Sequence, residues 1–201
     1  QESFEHLGDA DVLLTFTPMM SDAMLQAAPR LKWIQALGTG VDNLIDLPSL
    51  RADVIVTNMR GIHGAPVAEA ALASMLALSR GLPDFVRNQD RAQWQRWPAR
   101  LLNAKTVGIL GIGVIAETLA PICKAFGMEV IGFSSEPRAV AGFDAIYRRG
   151  DLQAMSNRLD YLVLLAPLTE ETRNIIDAPM LAAMHSAAFL INLARGGLVD
   201  E

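Results

Sequence analysis

Short apolar runs rich in β-branched residues alternate with stretches of helical periodicity along the whole chain, the pattern of βαβ units around parallel sheets. The first run, Val12 to Phe16, leads to Ser21-Asp22, a helix start that continues through Met24, Leu25 and Ala28 until Pro29 ends it. A second run, Lys32 to Leu37, enters Gly38-Thr39-Gly40, where glycine lets the backbone bend tightly and turn N–H groups toward a ligand. Val54 to Thr57 reads as a third strand. From Ala65 to Ser79 the chain has a proline suited to a first helical turn, then strong helix formers, and is apolar nearly all round. That predicts burial on several sides, between domains or between subunits. Asp84 to Trp97 reads as a polar helix anchored by Phe85, Val86, Trp94 and Trp97 and ended by Pro98. The second half opens at Lys105 to Leu110, a continuous apolar strand of the kind buried in a parallel sheet. A turn, a helix and a strand at Glu129 to Phe133 complete one βαβ unit. Further strands are expected at Ala145 to Tyr147, Tyr161 to Ala166 and Ala188 to Leu193, with helices around Leu152 and Met180.

The length, 201 residues, allows one large domain or two small ones, and the boundary is expected in or near the long apolar helix. The division is drawn as residues 1–78 and residues 79–201. With 51% hydrophobic and 19% charged residues, the composition excludes disorder as the main state. No apolar run reaches the roughly 18 residues of a bilayer span, and the start does not resemble a signal peptide. A soluble, cytoplasmic protein with no membrane partner is expected. One cysteine, Cys123, and three histidines allow neither an internal disulfide nor a Cys/His metal cluster. The net charge of -5 argues against nucleic acid as a partner. The locally basic run from Arg80 to Lys105 reads as a solvated helix face. The chain begins at Gln1 and ends at Asp200-Glu201 directly after an apolar run, so both domains read as incomplete.

Three segments carry chemistry. Gly111-Ile112-Gly113-Val114-Ile115-Ala116 follows a strand and opens a helix, the context in which this pattern marks a dinucleotide phosphate site. Gly111 makes the tight turn, Gly113 admits a pyrophosphate close to the backbone, and Ala116 lets helix and strand pack. The helix N-terminus adds free N–H groups and positive dipole. At the end of the second strand of this unit, where an acid usually holds the ribose, stands Ser134, followed by Ser135, Glu136, Pro137 and Arg138. Loss of the acid removes repulsion of a 2'-phosphate, and Ser134, Ser135 and Arg138 supply donors for one, which favours NADP. The rival is NAD, with Glu136 on the ribose. Ile191 to Gly197 lies at the C-terminal end of a strand, where open α/β sheets put their ligands. Arg195 there can pair bidentately with a substrate carboxylate and polarise the carbonyl beside it.

Taken together, these segments resemble the D-isomer-specific 2-hydroxy-acid dehydrogenases over essentially the whole chain. The motifs are Leu37 to Asp42, Val67-Ala68-Glu69, Gly111 to Ala116, Ala166-Pro167-Leu168-Thr169 with Thr172, and Asn192 to Gly197, in the family's order and spacing. The resemblance implies a flavodoxin-like substrate domain, a Rossmann-like nicotinamide domain of doubly wound parallel sheet inserted into it, and a homodimer built largely on the latter. It implies reduction of a small 2-oxo acid, such as glyoxylate or hydroxypyruvate, to a D-2-hydroxy acid. Arg195 would bind and polarise the substrate, and Thr39 and Gly40 would offer N–H groups to its carboxylate. Val114 and Ile115 would touch the pyrophosphate, with Ala166, Pro167, Thr172, Leu193 and Ala194 lining the cofactor on its other side. The family's acid, a histidine tuned by a glutamate, falls after the arginine segment. Among His6, His63 and His185, only His63 is expected near a cleft. The competing class is a non-catalytic dinucleotide sensor or corepressor on the same scaffold, and a different nucleotide-binding fold such as a methyltransferase ranks below both.

Overall fold

In the computed structural model, which describes residues 6–201, the first sheet is formed by β1 (Val12–Thr15), β2 (Trp33–Ala36) and β3 (Ile55–Thr57). All pairs are parallel and the order is β1-β2-β3. Side chains alternate across a strand, and one face of this sheet packs on Leu25, Ala28, Leu31 and Leu44, with Ile34 fully buried among them. Ser21 caps α1 (Asp22–Gln26), its hydroxyl accepting from the Met24 N–H. The helix stops before the position expected from Pro29, because Ala27 and Ala28 already bond back as turns. The Asp22 carboxylate accepts from the N–H and hydroxyl of Ser49, tying α1 to the loop after α2 (Asp42–Ile45). The opposite face carries Val12, Leu14, Trp33 and Ile55 and is exposed within this unit.

The chain divides into two compact units between Ile62 and His63, earlier than the expected division after residue 78. The physical reason is α3 (Gly64–Arg80), the predicted apolar helix, which belongs wholly to the second unit. Gly64, Ala68, Ala71, Met75 and Ser79 form its buried stripe, and Ala68, Ala71 and Met75 share a core with Leu119 and Cys123 of α5 (Val114–Ala125). Gly64 fits because a Cβ there would meet the Thr118 hydroxyl at 2.9 Å. Burial on several sides was expected; within the unit the helix is buried on this one stripe. Ala65, Glu69, Ala70 and Ala73 are exposed.

The predicted helix from Asp84 to Trp97 is shorter in the structure: α4 covers Leu82–Asp90. Ala92 takes a left-handed conformation (φ 52°), and the N–H groups of Ala92 and Gln93 bond back to Gln89 and Asn88. These two bonds close the helix end as a glycine usually would, so Pro98 has no helix to stop. Trp97 instead folds back and stacks on Phe85, ring centroids 4.3 Å apart.

The second sheet has the order β6-β5-β4-β7-β8, all parallel: β4 (Thr106–Leu110), β5 (Glu129–Ser134), β6 (Ala145–Arg148), β7 (Tyr161–Leu164) and β8 (Phe189–Asn192). Counted within the unit this is 3-2-1-4-5, the doubly wound order, with its switch point between β4 and β7. The central strands are buried on both faces, β4 by Val107, Ile109 and Leu110 and β7 throughout, which is why they read as continuous apolar runs. Short helices α6 (Leu152–Met155) and α7 (Ala178–Ala183) fill the β6-to-β8 crossovers, Asp177 capping α7 by accepting from Met180 N–H at 2.8 Å. Cys123 is fully buried in the core that α3 shares with α5, and that burial pushes its thiol up to about 12, which disfavours the thiolate. Among the described residues no helix is long and apolar enough to cross a membrane.

Candidate functional site

Parallel strands put their C-terminal ends on one edge. The register places Leu110 beside Phe133 and Leu164, and Leu164 beside Asn192. The segments that follow, Gly111 to Gly113, Ser134 to Arg138, Leu165 to Thr172 and Leu193 to Gly197, therefore lie along a single edge of the second unit.

Gly111 turns the chain from β4 toward α5 at φ 99°, and a Cβ on it would lie 2.6 Å from the Ala166 backbone nitrogen. Glycine is required twice over there, by conformation and by the closeness of the β7 loop. Gly113 differs. Its backbone is extended, and a Cβ would have no protein atom within 4 Å. The open space lies at the N-terminus of a 12-residue helix whose Glu117 N–H makes the first bond back, to Gly113. The earlier N–H groups, including those of Val114 and Ile115, have no acceptor available within the helix ladder, and with the dipole they suit a pyrophosphate. Ala116 is fully buried against the sheet. A dinucleotide fits these residues: a glycine that the protein does not need for its own packing stands beside a helix start.

Ser134 is half-buried and closes its own turn, its hydroxyl accepting from the Glu136 N–H at 3.3 Å and donating to the Glu136 carbonyl at 3.2 Å. Ser135 and Glu136 are exposed. Arg138 is turned to α5, its Nη2 donating to Glu117 Oε1 at 2.5 Å.

Thr172 is buried, and its hydroxyl is spent inside the β7 loop. It donates to the Pro167 carbonyl at 2.7 Å and accepts from the Thr169 N–H at 2.7 Å. It shapes the loop on which Pro167 is exposed and Ala166 is buried in the core, and its hydroxyl is taken up by that loop. On the next loop, Asn192 does comparable work. Its side-chain NH₂ donates to the Arg195 carbonyl at 2.8 Å and its oxygen accepts from the Ala194 N–H at 3.0 Å. Asn192 escaped the residue-by-residue reading of this motif. Its signal was available: an Asn at a strand end commonly bonds backbone two or three residues on. Arg195 is extended and half-buried, with Nη1 donating to the Ala194 carbonyl at 3.1 Å. The turn after it packs on the Thr172 loop, Asn174 and Ile176 donating to Gly197 and Leu198 carbonyls.

In the first unit, the Gly38-Thr39-Gly40 turn is pinned through its carbonyls. Met59 N–H bonds to Gly38, Asn58 Nδ2 to Thr39 and Thr17 Oγ1 to Gly40, at 3.1, 2.6 and 2.9 Å. The Thr39 hydroxyl donates to the Met59 carbonyl at 2.8 Å. With its carbonyls and hydroxyl engaged, the turn keeps its N–H groups as what it can offer a ligand.

Of the histidines, His63 sits at the N-cap of α3 without a capping bond, and His185 accepts from the Ala187 N–H through Nδ1.

Residues 72–201 match the family model described as D-isomer specific 2-hydroxyacid dehydrogenase, NAD binding domain. The chain is 34% identical over 206 residues to D-3-phosphoglycerate dehydrogenase of Methanocaldococcus jannaschii, a match that covers all of this chain and 39% of that protein. A D-isomer specific 2-hydroxyacid dehydrogenase family protein from Aeromonas salmonicida superposes with a TM-score of 0.88 at 34% identity, covering 100% of this chain and 64% of that one. An NADPH-dependent glyoxylate/hydroxypyruvate reductase from Sinorhizobium meliloti, solved with NADP and sulfate, superposes at 0.80 with 28% identity, covering 96% and 62%. The chain thus spans less than two thirds of these relatives. Because the family model covers the whole second sheet and the four segments along its C-terminal edge, the chain belongs to the D-isomer specific 2-hydroxyacid dehydrogenase family.

Proposed function

We propose that the protein reduces a small 2-oxo acid, of the size of glyoxylate or hydroxypyruvate, to a D-2-hydroxy acid with NADPH, and less well with NADH. The observation that carries this reading is the common edge on which the Gly111–Ala116 turn, the Thr172-shaped loop and the Asn192-clamped Arg195 all stand.

Val114 and Ile115 hold the pyrophosphate through backbone N–H groups, with Gly113 leaving room for it. Ala166, Pro167, Leu193 and Ala194 form the wall opposite, and Thr172 fixes the shape of that wall. When bound, the cofactor supplies hydride to the substrate's C2. Arg195 pairs its planar fork with the substrate carboxylate and draws electron density from the adjacent carbonyl, which favours negative charge developing on that oxygen. In the first unit, the resemblance assigns the N–H groups of Thr39 and Gly40 to carboxylate binding.

Ser134 in place of an acid leaves no carboxylate on the last residue of β5, which favours a 2'-phosphate with Ser134, Ser135 and Arg138 as its donors. The complete protein is expected to reduce glyoxylate and hydroxypyruvate with a kcat/KM higher for NADPH than for NADH. Equal or reversed values in a spectrophotometric assay would remove the cofactor assignment, and no turnover with either cofactor would favour a sensor.

The second unit also exposes Ala70 and Ala73 on α3, Leu82, Phe85 and Val86 on α4, and Trp94. We assign this apolar surface to contact with a second copy of the chain, so light scattering is expected to give twice the subunit mass.

A further inference from the structure

The donors assigned to a 2'-phosphate come with a competitor. Arg138, in the loop after β5, donates Nη2 to Glu117 Oε1, and Glu117 stands in the first turn of α5. The two side chains are partly in solvent, 57% and 41% exposed, so this is not a buried ion pair. Its position is the informative feature. The first turn of α5 is where the cofactor's pyrophosphate is received, and the loop after β5 is where its adenosine ribose is received. A carboxylate paired with Arg138 sets its negative charge on the group assigned to the 2'-phosphate, at the ribose end.

We propose that Glu117 is a cofactor-selectivity residue that opposes the 2'-phosphate. Its carboxylate holds Arg138 in an ion pair that a 2'-phosphate must replace, and it repels the incoming phosphate charge. NADH, with a ribose hydroxyl there, meets neither effect. The chain therefore discriminates less strongly for NADPH than Ser134, Ser135 and Arg138 alone would make it. This inference rests on the reading that Arg138 faces the 2'-phosphate.

The magnitude follows from the exposure. Release of a solvent-exposed ion pair changes a dissociation constant by at most about fivefold. Repulsion of a phosphate acts in the same direction and is screened by salt. Glu117→Gln is thus expected to raise the ratio Kd(NADH)/Kd(NADPH) by about three- to tenfold, almost entirely through tighter NADPH binding, with the gain shrinking as ionic strength rises.

The test is equilibrium titration of the protein with NADPH and with NADH, followed by nicotinamide fluorescence, for wild type, Glu117→Gln, Arg138→Gln and the double variant. An unchanged Kd for NADH serves as the control that the site is intact. Arg138→Gln is expected to weaken NADPH and leave NADH alone, and in its background Glu117→Gln is expected to have less than half its effect. If Arg138→Gln leaves NADPH affinity unchanged, the 2'-phosphate reading itself fails. If Arg138→Gln weakens NADPH while Glu117→Gln leaves the ratio unchanged or lowers it, the opposition by Glu117 fails, a lowered ratio meaning that the carboxylate aims Arg138 instead.

Discussion

Gly111→Ala is expected to destabilise the second unit by about 3–5 kcal/mol, a large share of what holds a domain of this size together. Two costs add. An alanine at φ 99° occupies a region that side chains rarely adopt, and its Cβ would lie within 2.8 Å of Ala166 N, Ala166 Cα and the Leu165 carbonyl carbon. Those are backbone atoms at the end of β7, so no flexible side chain can move aside. Either β4 and β7 separate at their C-terminal ends, which breaks the Leu165 N–H bond to the Leu110 carbonyl, or the turn refolds. Urea unfolding checks this through the loss of folded baseline or a sharply lower midpoint. A change below about 1 kcal/mol would show that the turn has more room than its geometry implies.

The second large effect concerns Arg195. Arg195→Ala in the complete protein is expected to lower kcat/KM for the 2-oxo acid by about 10²- to 10³-fold, the range found when one preorganised donor to a developing oxyanion is lost. NADPH affinity should stay within about twofold, because the residue's backbone conformation is set by Asn192 and by the packing of Gly197 on Leu168, neither of which needs the guanidinium. Arg195→Lys should recover only part of the loss, since an ammonium keeps the charge but lacks the planar fork. Steady-state kinetics beside a cofactor titration separates the outcomes. Activity within about tenfold of wild type in Arg195→Ala would end the assigned role.

The strands of the second sheet were legible because a central parallel strand has no polar face to confuse the pattern: Thr106–Leu110 and Tyr161–Leu164 stand where the apolar runs are. The Gly111–Ala116 motif was legible for a related reason, since conformation and close approach both demand glycine at the first position. Other features leave weaker traces. The end of α4 depends on Ala92 in a left-handed conformation, and alanine carries no such signal. The division between the units follows from α3 packing on α5, a tertiary preference that an apolar helix expresses equally for either neighbour. Thr172 reads as a possible ligand contact in a list of motifs, but its hydroxyl closes a loop. The Glu117–Arg138 pair joins residues 21 positions apart, and no spacing rule announces it.

In the proposed function the Gly111–Ala116 turn receives a dinucleotide. The most direct test of this is a titration of NADPH into wild type and Gly113→Ala, alongside urea unfolding of both. Gly113 is extended and its Cβ position is open, so alanine there should leave the unfolding free energy within about 0.5 kcal/mol of wild type. The same methyl group would occupy the space of the pyrophosphate, and Kd for NADPH should rise at least about tenfold. Saturable wild-type binding with an equally tight Gly113→Ala variant would contradict the account, because the cofactor would then lie somewhere other than this turn.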